Sequence, residues 1–175
     1  MEVKMCITKR RSVRKFLNKE ISKNIVRDII RCGHLAPSAK NRKPWHFWVV
    51  NKDIKNKIAD LMQDKEIRVP TSIQASANVI REAPILILVT TKKENNQVSD
   101  ILSIGACIQN MCLRATDLEV GSLWIRDVIY VEKEILTLVN AQDSILVSAL
   151  ALGYYDKLPP KRPGKDLTEV LTWLP

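Results

Sequence analysis

The apolar positions along the chain follow two different periods, one typical of strands and one typical of helices. Continuous apolar runs of strand length occupy residues 85–90 and 145–152. Runs of this kind are typical of strands that are covered on both faces. Shorter runs at 46–50 and 121–125 predict two further strands. The strand pattern therefore predicts a small central sheet.

Between these runs, apolar residues recur three and four positions apart, which is the spacing of one helix face. Ser22 has the side chain of an N-cap for a helix that runs to about residue 35, and Pro37 ends it. Further helices are predicted at 53–63, in a short stretch before Arg81, at 98–117 and at 132–139. The alternation of helices and strands indicates an α+β or α/β fold, which we interpret as one domain over residues 1–175.

The predicted helix at 98–117 is apolar on almost every side. A helix of this kind is buried, either deep in a core or between subunits. Gly105 and Ala106 would permit another backbone to approach it closely. By contrast, the stretch at 157–164 is basic and rich in proline, so we expect it to be irregular.

Length and composition narrow the class of protein. With 175 residues, 46% hydrophobic and 27% charged, the chain fits one ordinary globular domain. No apolar run reaches the ~18 to 20 residues that a transmembrane helix needs. The N-terminal residues lack the apolar stretch of a signal peptide. These features predict a cytoplasmic protein with no membrane partner.

The net charge of +9 is the one unusual bulk property, with 28 Lys and Arg against 19 Asp and Glu. Such a surface can attract nucleic acid, anionic membranes or phosphorylated small molecules. The basic residues are scattered over several segments, and no RRM or zinc-finger signature is present. We therefore expect no nucleic-acid partner. A phosphate-bearing ligand would need only a few of these charges.

Familiar catalytic and metal-binding motifs are absent from the sequence. There is no Gly-x-Ser-x-Gly elbow, Walker loop, dinucleotide-binding glycine motif or His-Glu-x-x-His. The four cysteines form no Cys-x-x-Cys pair, so we expect buried free thiols and no metal. With only five glycines, the chain would have to hold an anion largely with side chains.

Three segments carry candidate chemistry. In the segment at 10–16, two arginines and a hydroxyl could hold a phosphate, although an exposed basic turn is the simpler reading of it alone. The polar loop at 36–45 has a proline near each end and is either a binding loop or a plain helix-to-strand connection. The tail pair Lys161-Arg162 is either part of a site or a solvated basic tail.

Taken in order, these segments and two others resemble the nitroreductase family of FMN-dependent oxidoreductases. Residues 10–16 match its Arg-Arg-Ser-x-Arg-x-Phe pattern, and the loop at 36–45 matches Ala-Pro-Ser-(small)-x-Asn-x-Gln-Pro-Trp at all but one defined position. The family's Asp-x-x-x-x-Gly-Ala-x-x-Gln-Asn motif stands at 100–110, its Gly-Ser-x-Trp-Ile strand at 121–125 and its Ala-Leu-Gly-Tyr at 151–154. Any one of these motifs is weak evidence, whereas the ordered set is strong.

The resemblance implies an α+β nitroreductase-like fold, with a small mixed β-sheet flanked by helices and a domain completed by dimerisation. It implies a homodimer with FMN at the subunit interface, NADH or NADPH as electron donor, and a small-molecule acceptor. Arg10, Ser12 and the tail pair would bind the FMN phosphate, and Arg14 would lie by the pyrimidine edge of the flavin. The full set of implied cofactor residues is Arg10, Arg11, Ser12, Arg14, Pro37, Ser38, Ala39, Asn41, Lys43, Trp124, Ile125, Lys161 and Arg162.

The flavin would carry the chemistry, so the resemblance implies no catalytic side chain. NAD(P)H would reduce the flavin, and a nitroaromatic, quinone or flavin acceptor would then take its place in a ping-pong cycle. The sequence departs from the family at Lys43, where Gln is usual, and at Arg126, where Gly is common. The alternatives are a non-catalytic flavin-binding or redox-sensing module, and a flavin-fragmenting or dehalogenating enzyme on the same fold.

Overall fold

A computed structural model describes residues 1–64, 70, 72–95 and 97–174. Its helices and strands alternate along the chain, with short 3-10 turns at 39–41, 93–95, 127–131 and 167–169. The helices are α1 (Val3–Lys9), α2 (Lys23–His34), α3 (Lys52–Leu61), α4 (Ser72–Glu82), α5 (Val98–Asp117) and α6 (Glu132–Leu138). The strands are β1 (His46–Val50), β2 (Ile85–Lys92), β3 (Gly121–Ile125) and β4 (Ser144–Gly153).

The four strands form one sheet in the order β1-β2-β4-β3. Every neighbouring pair is antiparallel, and the β2–β4 register shifts between Val89 and Thr90. The α+β class is confirmed, but the expected mixed sheet is corrected: in the described parts of the chain, the parallel contribution is a single bridge between Ser12 and Ser122.

The sheet separates two apolar layers. One face packs against α3, α4 and α6, and the other packs against α2 and α5. Strand β2 serves both layers, because Leu86 and Leu88 point to the first and Ile87 and Val89 to the second, all four fully buried. The prediction of a strand covered on both faces is confirmed. Full burial of each such side chain stabilises the fold by about 1.5–3 kcal/mol.

Most element boundaries follow from local signals. The Ile25 backbone N–H donates to the Ser22 hydroxyl at 3.3 Å, which confirms the predicted N-cap of α2. The predicted strands at 46–50 and 121–125 and the helix at 98–117 match the observed bounds. Helix α1 was not predicted, because only Cys6 among its seven residues is buried and the apolar pattern of so short a segment is weak.

Helix α5 is buried along one face only. Ile104, Ile108 and Met111 are fully buried against the sheet, whereas Leu102 is 70% exposed on the opposite side. The chain by itself therefore does not enclose this helix. Other large apolar side chains are also exposed, among them Val3 on α1 and Leu35 after α2.

The stretch after β4 runs along the outside of the fold. The residues at 160–174 are exposed, and 157–164 contain no regular element, as expected. Asp166 closes a capping box with Glu169 in the short turn at 167–169. Within the described residues, no helix is long and apolar enough to span a membrane.

Lys55 is a buried cation that joins α3 to the end of α4. Its ammonium donates a hydrogen bond to the Ala83 carbonyl, just beyond the last residue of α4. Burial, with a smaller contribution from Lys52, lowers the pKa of Lys55 below its ordinary value of 10.5.

Because this pKa is lower in the folded chain than in the unfolded chain, folding releases a proton in the window between the two values. We therefore expect the free energy of unfolding to rise with pH as the solution approaches pH 10.5 from below. Lys55→Met should lose this contribution to the pH dependence. Urea unfolding of both proteins at several pH values in this window measures it, and parallel pH profiles would contradict the prediction.

Candidate functional site

The segment at 10–16 is fastened to the edge of the sheet by its backbone and by Val13. The Val13 N–H donates to the Ser122 carbonyl at 3.0 Å, and the Val13 side chain is only 2% exposed. A Cβ at Gly121 would lie 3.0 Å from the Cβ of Val13, so the strand must carry glycine there for the segment to approach. The segment is thus a fixed edge of the fold and not a free turn.

The side chain of Phe16 packs against Gly153, which links the first motif to the Ala-Leu-Gly-Tyr motif. A Cβ at Gly153 would lie 2.6 to 2.8 Å from three atoms of Phe16, which shows that the aromatic side chain packs directly onto the β4 backbone. The phenylalanine of the first motif and the glycine of Ala-Leu-Gly-Tyr are therefore partners in packing. Their contact fixes the C-terminal end of the basic segment to the sheet, and neither residue carries chemistry itself.

The basic residues of this segment differ in their partners. Arg11 Nη1 donates to the carbonyls of Thr8 and Arg10 at 2.7 and 2.8 Å and so closes the C-terminus of α1. Arg14 Nη1 makes one long contact of 3.3 Å with the Ser12 carbonyl. In the described part of the chain, neither the Arg10 guanidinium nor the Ser12 hydroxyl has a hydrogen-bond partner. None of the three arginines pairs with a described carboxylate.

The loop at 37–43 is held in an unusual backbone conformation. Lys40, Asn41 and Lys43 have φ values of 53°, 55° and 49°, in the left-handed region that favours glycine. Each costs on the order of 1–3 kcal/mol, somewhat less for Asn, and such strain is concentrated at functional sites. Inside the loop, the Lys43 N–H donates to the Ser38 hydroxyl at 2.9 Å, and the Asn41 N–H donates to the Ser38 carbonyl at 2.9 Å.

The loop is tied to the first turns of α5 by an ion pair that sequence reasoning missed. Arg42 donates from Nε and Nη2 to Oδ1 of Asp100, at 3.1 and 2.8 Å. The Asp100 side chain is only 1% exposed. The Ala39 N–H adds a contact of 3.3 Å to the Ser103 hydroxyl. The sequence contains one signal of this ion pair, which is Asp100 at the start of the motif at 100–110.

The ammonium group of Lys43 lies beside the imidazole ring of His34, which offers it no acceptor. The Trp45 indole N–H donates to His34 Nδ1 at 3.2 Å, so a neutral His34 carries its proton on Nε2. The Lys43 ammonium, 3.5 Å from that Nε2, can only donate. It therefore gains no hydrogen bond from this neighbour and stays available to an acceptor from outside.

The resemblance implies a backbone contribution from the strand at 121–125, and the side chains of its two implied residues differ in exposure. Ile125 is 2% exposed and packs in the core, and its carbonyl accepts the Ser148 hydroxyl at 2.8 Å. Trp124 is 43% exposed, with its ring 3.8 Å from where a Cβ at Gly105 would lie. Of the two predicted residues, only Trp124 presents its side chain at the surface.

The structure does not gather the predicted cofactor residues in one place. The loop at 37–43 lies against Ser99, Asp100 and Ser103 at the start of α5, whereas Arg11 and Val13 line a cavity with Thr116 near its end. From the rise of a helix, Ser103 and Thr116 are about 20 Å apart. Leu158 lines the same cavity as Arg11, so the tail leaves the fold beside the basic segment. Lys161 and Arg162 follow it, both exposed.

Burial holds two of the four cysteines, Cys107 and Cys112, in the thiol form. Burial raises the pKa of Cys107 to about 12. Burial also raises the pKa of Cys112, despite the opposing hydrogen bond with Ser122. Both thiols therefore stay protonated at neutral pH. Cys6 is buried as well and Cys32 is half-buried, and all four are free. Among the described side chains, no group of His, Cys, Asp and Glu could hold a metal ion.

Comparison with known proteins gives a consistent result. The family model described as the nitroreductase family matches residues 7–154. A Bacillus subtilis protein, YfhC, whose name assigns it as an NAD(P)H nitroreductase, is 25% identical over 95% of this chain and 91% of its own. A nitroreductase-type protein from Desulfovibrio desulfuricans, solved in complex with FMN, is 27% identical and superposes with a TM-score of 0.84 over 100% of this chain and 98% of its own.

A relative with another activity in its name also matches. Iodotyrosine deiodinase of Hydra vulgaris is 30% identical over 146 residues, which cover 65% of this chain and 54% of the deiodinase. The fold is therefore shared by proteins whose names describe different reactions.

The strain in the loop predicts the effect of a glycine at Lys40. Since φ is 53° there, Lys40→Gly should raise the free energy of unfolding by about 0.5–1 kcal/mol, the left-handed cost that is removed less the extra entropy of glycine. Lys40→Ala is the matched control, because it removes the same side chain but keeps the Cβ, and it should give no increase. Urea unfolding measures both, and a loss of stability in the glycine variant would count against the assigned strain.

Proposed function

The chain belongs to the nitroreductase family, and from this membership we propose that it is an FMN-dependent enzyme that takes electrons from NADH or NADPH. It passes them to a nitroaromatic, quinone or flavin-type acceptor. Relatives that carry NAD(P)H nitroreductase in their names and an FMN complex of similar fold support the proposal.

The observation that carries the proposal is the unpaired basic segment at 10–14. Arg10, Arg11 and Arg14 lie close together in the sequence, and none of them has a described carboxylate partner. The segment is also rigid, since Val13 is buried and bonded to Ser122. The Arg10 guanidinium and the Ser12 hydroxyl have no acceptor in the described part of the chain, and donors of these two kinds suit a phosphate. The residues present therefore fit the phosphate end of FMN.

We assign the phosphate to Arg10 and Ser12, with Lys161 and Arg162 joining from the tail that leaves the fold nearby. Arg14 would place a cation at the pyrimidine edge of the flavin ring, where it would stabilise negative charge. Arg11 already closes α1 with its Nη1 group, so its contribution to the cofactor would be its charge.

A homodimer would bring the two halves of the site together. The loop at 37–43 and the basic segment lie at opposite ends of α5, so a loop from one subunit would line the flavin held by the basic segment of its partner. The open face of α5 supports this arrangement, because the apolar side chain of Leu102 is 70% exposed there. In this arrangement Pro37, Ser38, Ala39, Asn41 and Lys43 would act from the partner subunit.

Bound FMN would supply the hydride transfer, so the protein has to bind, orient and shield the cofactor and needs no acid–base pair. Donor and acceptor would use the same position in turn, which gives ping-pong kinetics.

A second candidate is reductive dehalogenation, favoured by the similarity to iodotyrosine deiodinase. Steady-state assays with NADH and NADPH and with quinone, nitroaromatic and iodotyrosine acceptors separate the two. Turnover of NAD(P)H with a quinone supports the first proposal. Iodide release from reduced protein without such turnover supports the second. A protein that takes up no FMN, seen as no flavin absorbance after reconstitution, would contradict both.

Arg10→Ala tests the assigned phosphate contact. Loss of one charge-assisted hydrogen bond should weaken FMN binding by roughly 1.5–3 kcal/mol. The fold should persist, because the Arg10 guanidinium has no hydrogen-bond partner in the described part of the chain. Titration of FMN fluorescence measures the affinity and circular dichroism checks the fold. Arg27→Ala, an exposed arginine on α2, is the control, and equal affinities in the two variants would refute the assignment.

A further inference from the structure

We propose that Asp100 is a positioning residue that acts through Arg42 to hold the loop at 38–43 in the conformation that binds FMN. The inference rests on the proposed function, since it assumes that this loop lines the cofactor. It concerns two residues that lie outside the set expected to touch the flavin. The juxtaposition that carries it is an ion pair between a buried carboxylate on α5 and a partly exposed arginine of a strained loop.

The two hydrogen bonds between Arg42 and Asp100 fix the orientation of the Arg42 side chain. One carboxylate oxygen of Asp100 accepts both the Nε–H and an Nη2–H of Arg42, which fixes the plane of the guanidinium. Asp100 lies in the first turn of the 20-residue helix α5, where the helix dipole favours a carboxylate. The α5 backbone is in turn fixed by its packing on the sheet. Asp100 is therefore a rigid point to which the loop can be attached.

The loop needs such an attachment because its own contacts cannot hold it in place. The hydrogen bonds from Lys43 and Asn41 to Ser38 run within the loop, so they shape it without joining it to the rest of the fold. The side-chain contacts that join it to α5 are those of Arg42 with Asp100 and Ser99 and that of Ala39 with Ser103. Only the Arg42–Asp100 contact is charged.

The strain shows what would happen without the pair. Lys40 and Lys43 hold left-handed backbone angles that a lysine does not adopt by preference. Without Arg42, the loop would relax toward ordinary angles, and the backbone that presents Ser38 and Asn41 would move. FMN would then bind only the fraction of molecules with the original loop, and its affinity would fall by that fraction.

This mechanism predicts that glycine rescues the loss of the ion pair. Arg42→Gln should weaken FMN binding by about tenfold or more, since the competent loop becomes the minor state. Adding Lys40→Gly removes the cost of one left-handed residue, so the double variant should recover about twofold to fivefold of the lost affinity. Adding Lys40→Ala instead should recover nothing, because alanine keeps the Cβ. The dissociation constant is measured by quenching of FMN fluorescence.

A residue that touches FMN directly would behave differently. If Arg42 contacts the cofactor, the glycine variant restores no affinity, and the proposal is overturned. Arg42→Lys is a second variant in case Arg42→Gln folds poorly. It keeps the charge but cannot donate two hydrogen bonds in a fixed plane to one oxygen, so its affinity should also fall and should also be rescued by Lys40→Gly.

Amide hydrogen exchange in the absence of FMN tests the positioning role independently of the proposed function. Amide hydrogen exchange at Asn41 and Lys43 should be faster in Arg42→Gln than in the native protein and slower again when Lys40→Gly is added.

The control is Arg81→Gln, which breaks a 2.8 Å pair with Asp60 between α4 and α3 and should change neither exchange nor affinity. If native protein binds no FMN, the proposed function fails. If it binds FMN but Arg42→Gln matches it in affinity and exchange, only the positioning role fails.

Discussion

The packing of α5 on the sheet is the interaction on which the rest of the structure depends. Ile104, Ile108 and Met111 bury one face of the helix against β2 and β4. The loop at 37–43 is attached to the first turns of this helix, and the basic segment at 10–14 lies beside its last turn. The distance between the two halves of the candidate site is therefore set by a single rigid element, and its open face is the surface on which the proposed second subunit would pack.

The motifs that carry the family resemblance contain two kinds of residue. Some present polar groups outward, as Arg10 and Ser12 do. Others bring those groups to the right place: Phe16 packs on Gly153, and Val13 packs on Gly121. Asp100 belongs to the second kind, because its carboxylate is used entirely within the fold. Similarity in sequence does not separate the two kinds, since packing and binding restrict a residue equally.

The arginines also fall into two kinds, according to whether they pair with a carboxylate within the fold. Several arginines are already paired within the fold, as Arg42 is with Asp100 and Arg114 with Asp28. The arginines at 10–14 have no such partner in the described part of the chain. The net charge of +9 by itself therefore says little about ligands. The arginines at 10–14 stand out because their backbone is fixed to the sheet and they have no described carboxylate partner, which suits a single phosphate group.

The sequence by itself determined the α+β class, the order and most boundaries of the elements, and the family, because local periodicity, capping and motif order are properties of neighbouring residues. It identified both halves of the candidate site but not their separation along α5. Only the tertiary structure decided that Arg42 pairs with Asp100, that Ile125 faces the core and that the strands pair antiparallel. Each of these depends on residues far apart in the chain, and no local pattern records which of several possible partners a side chain or strand will meet.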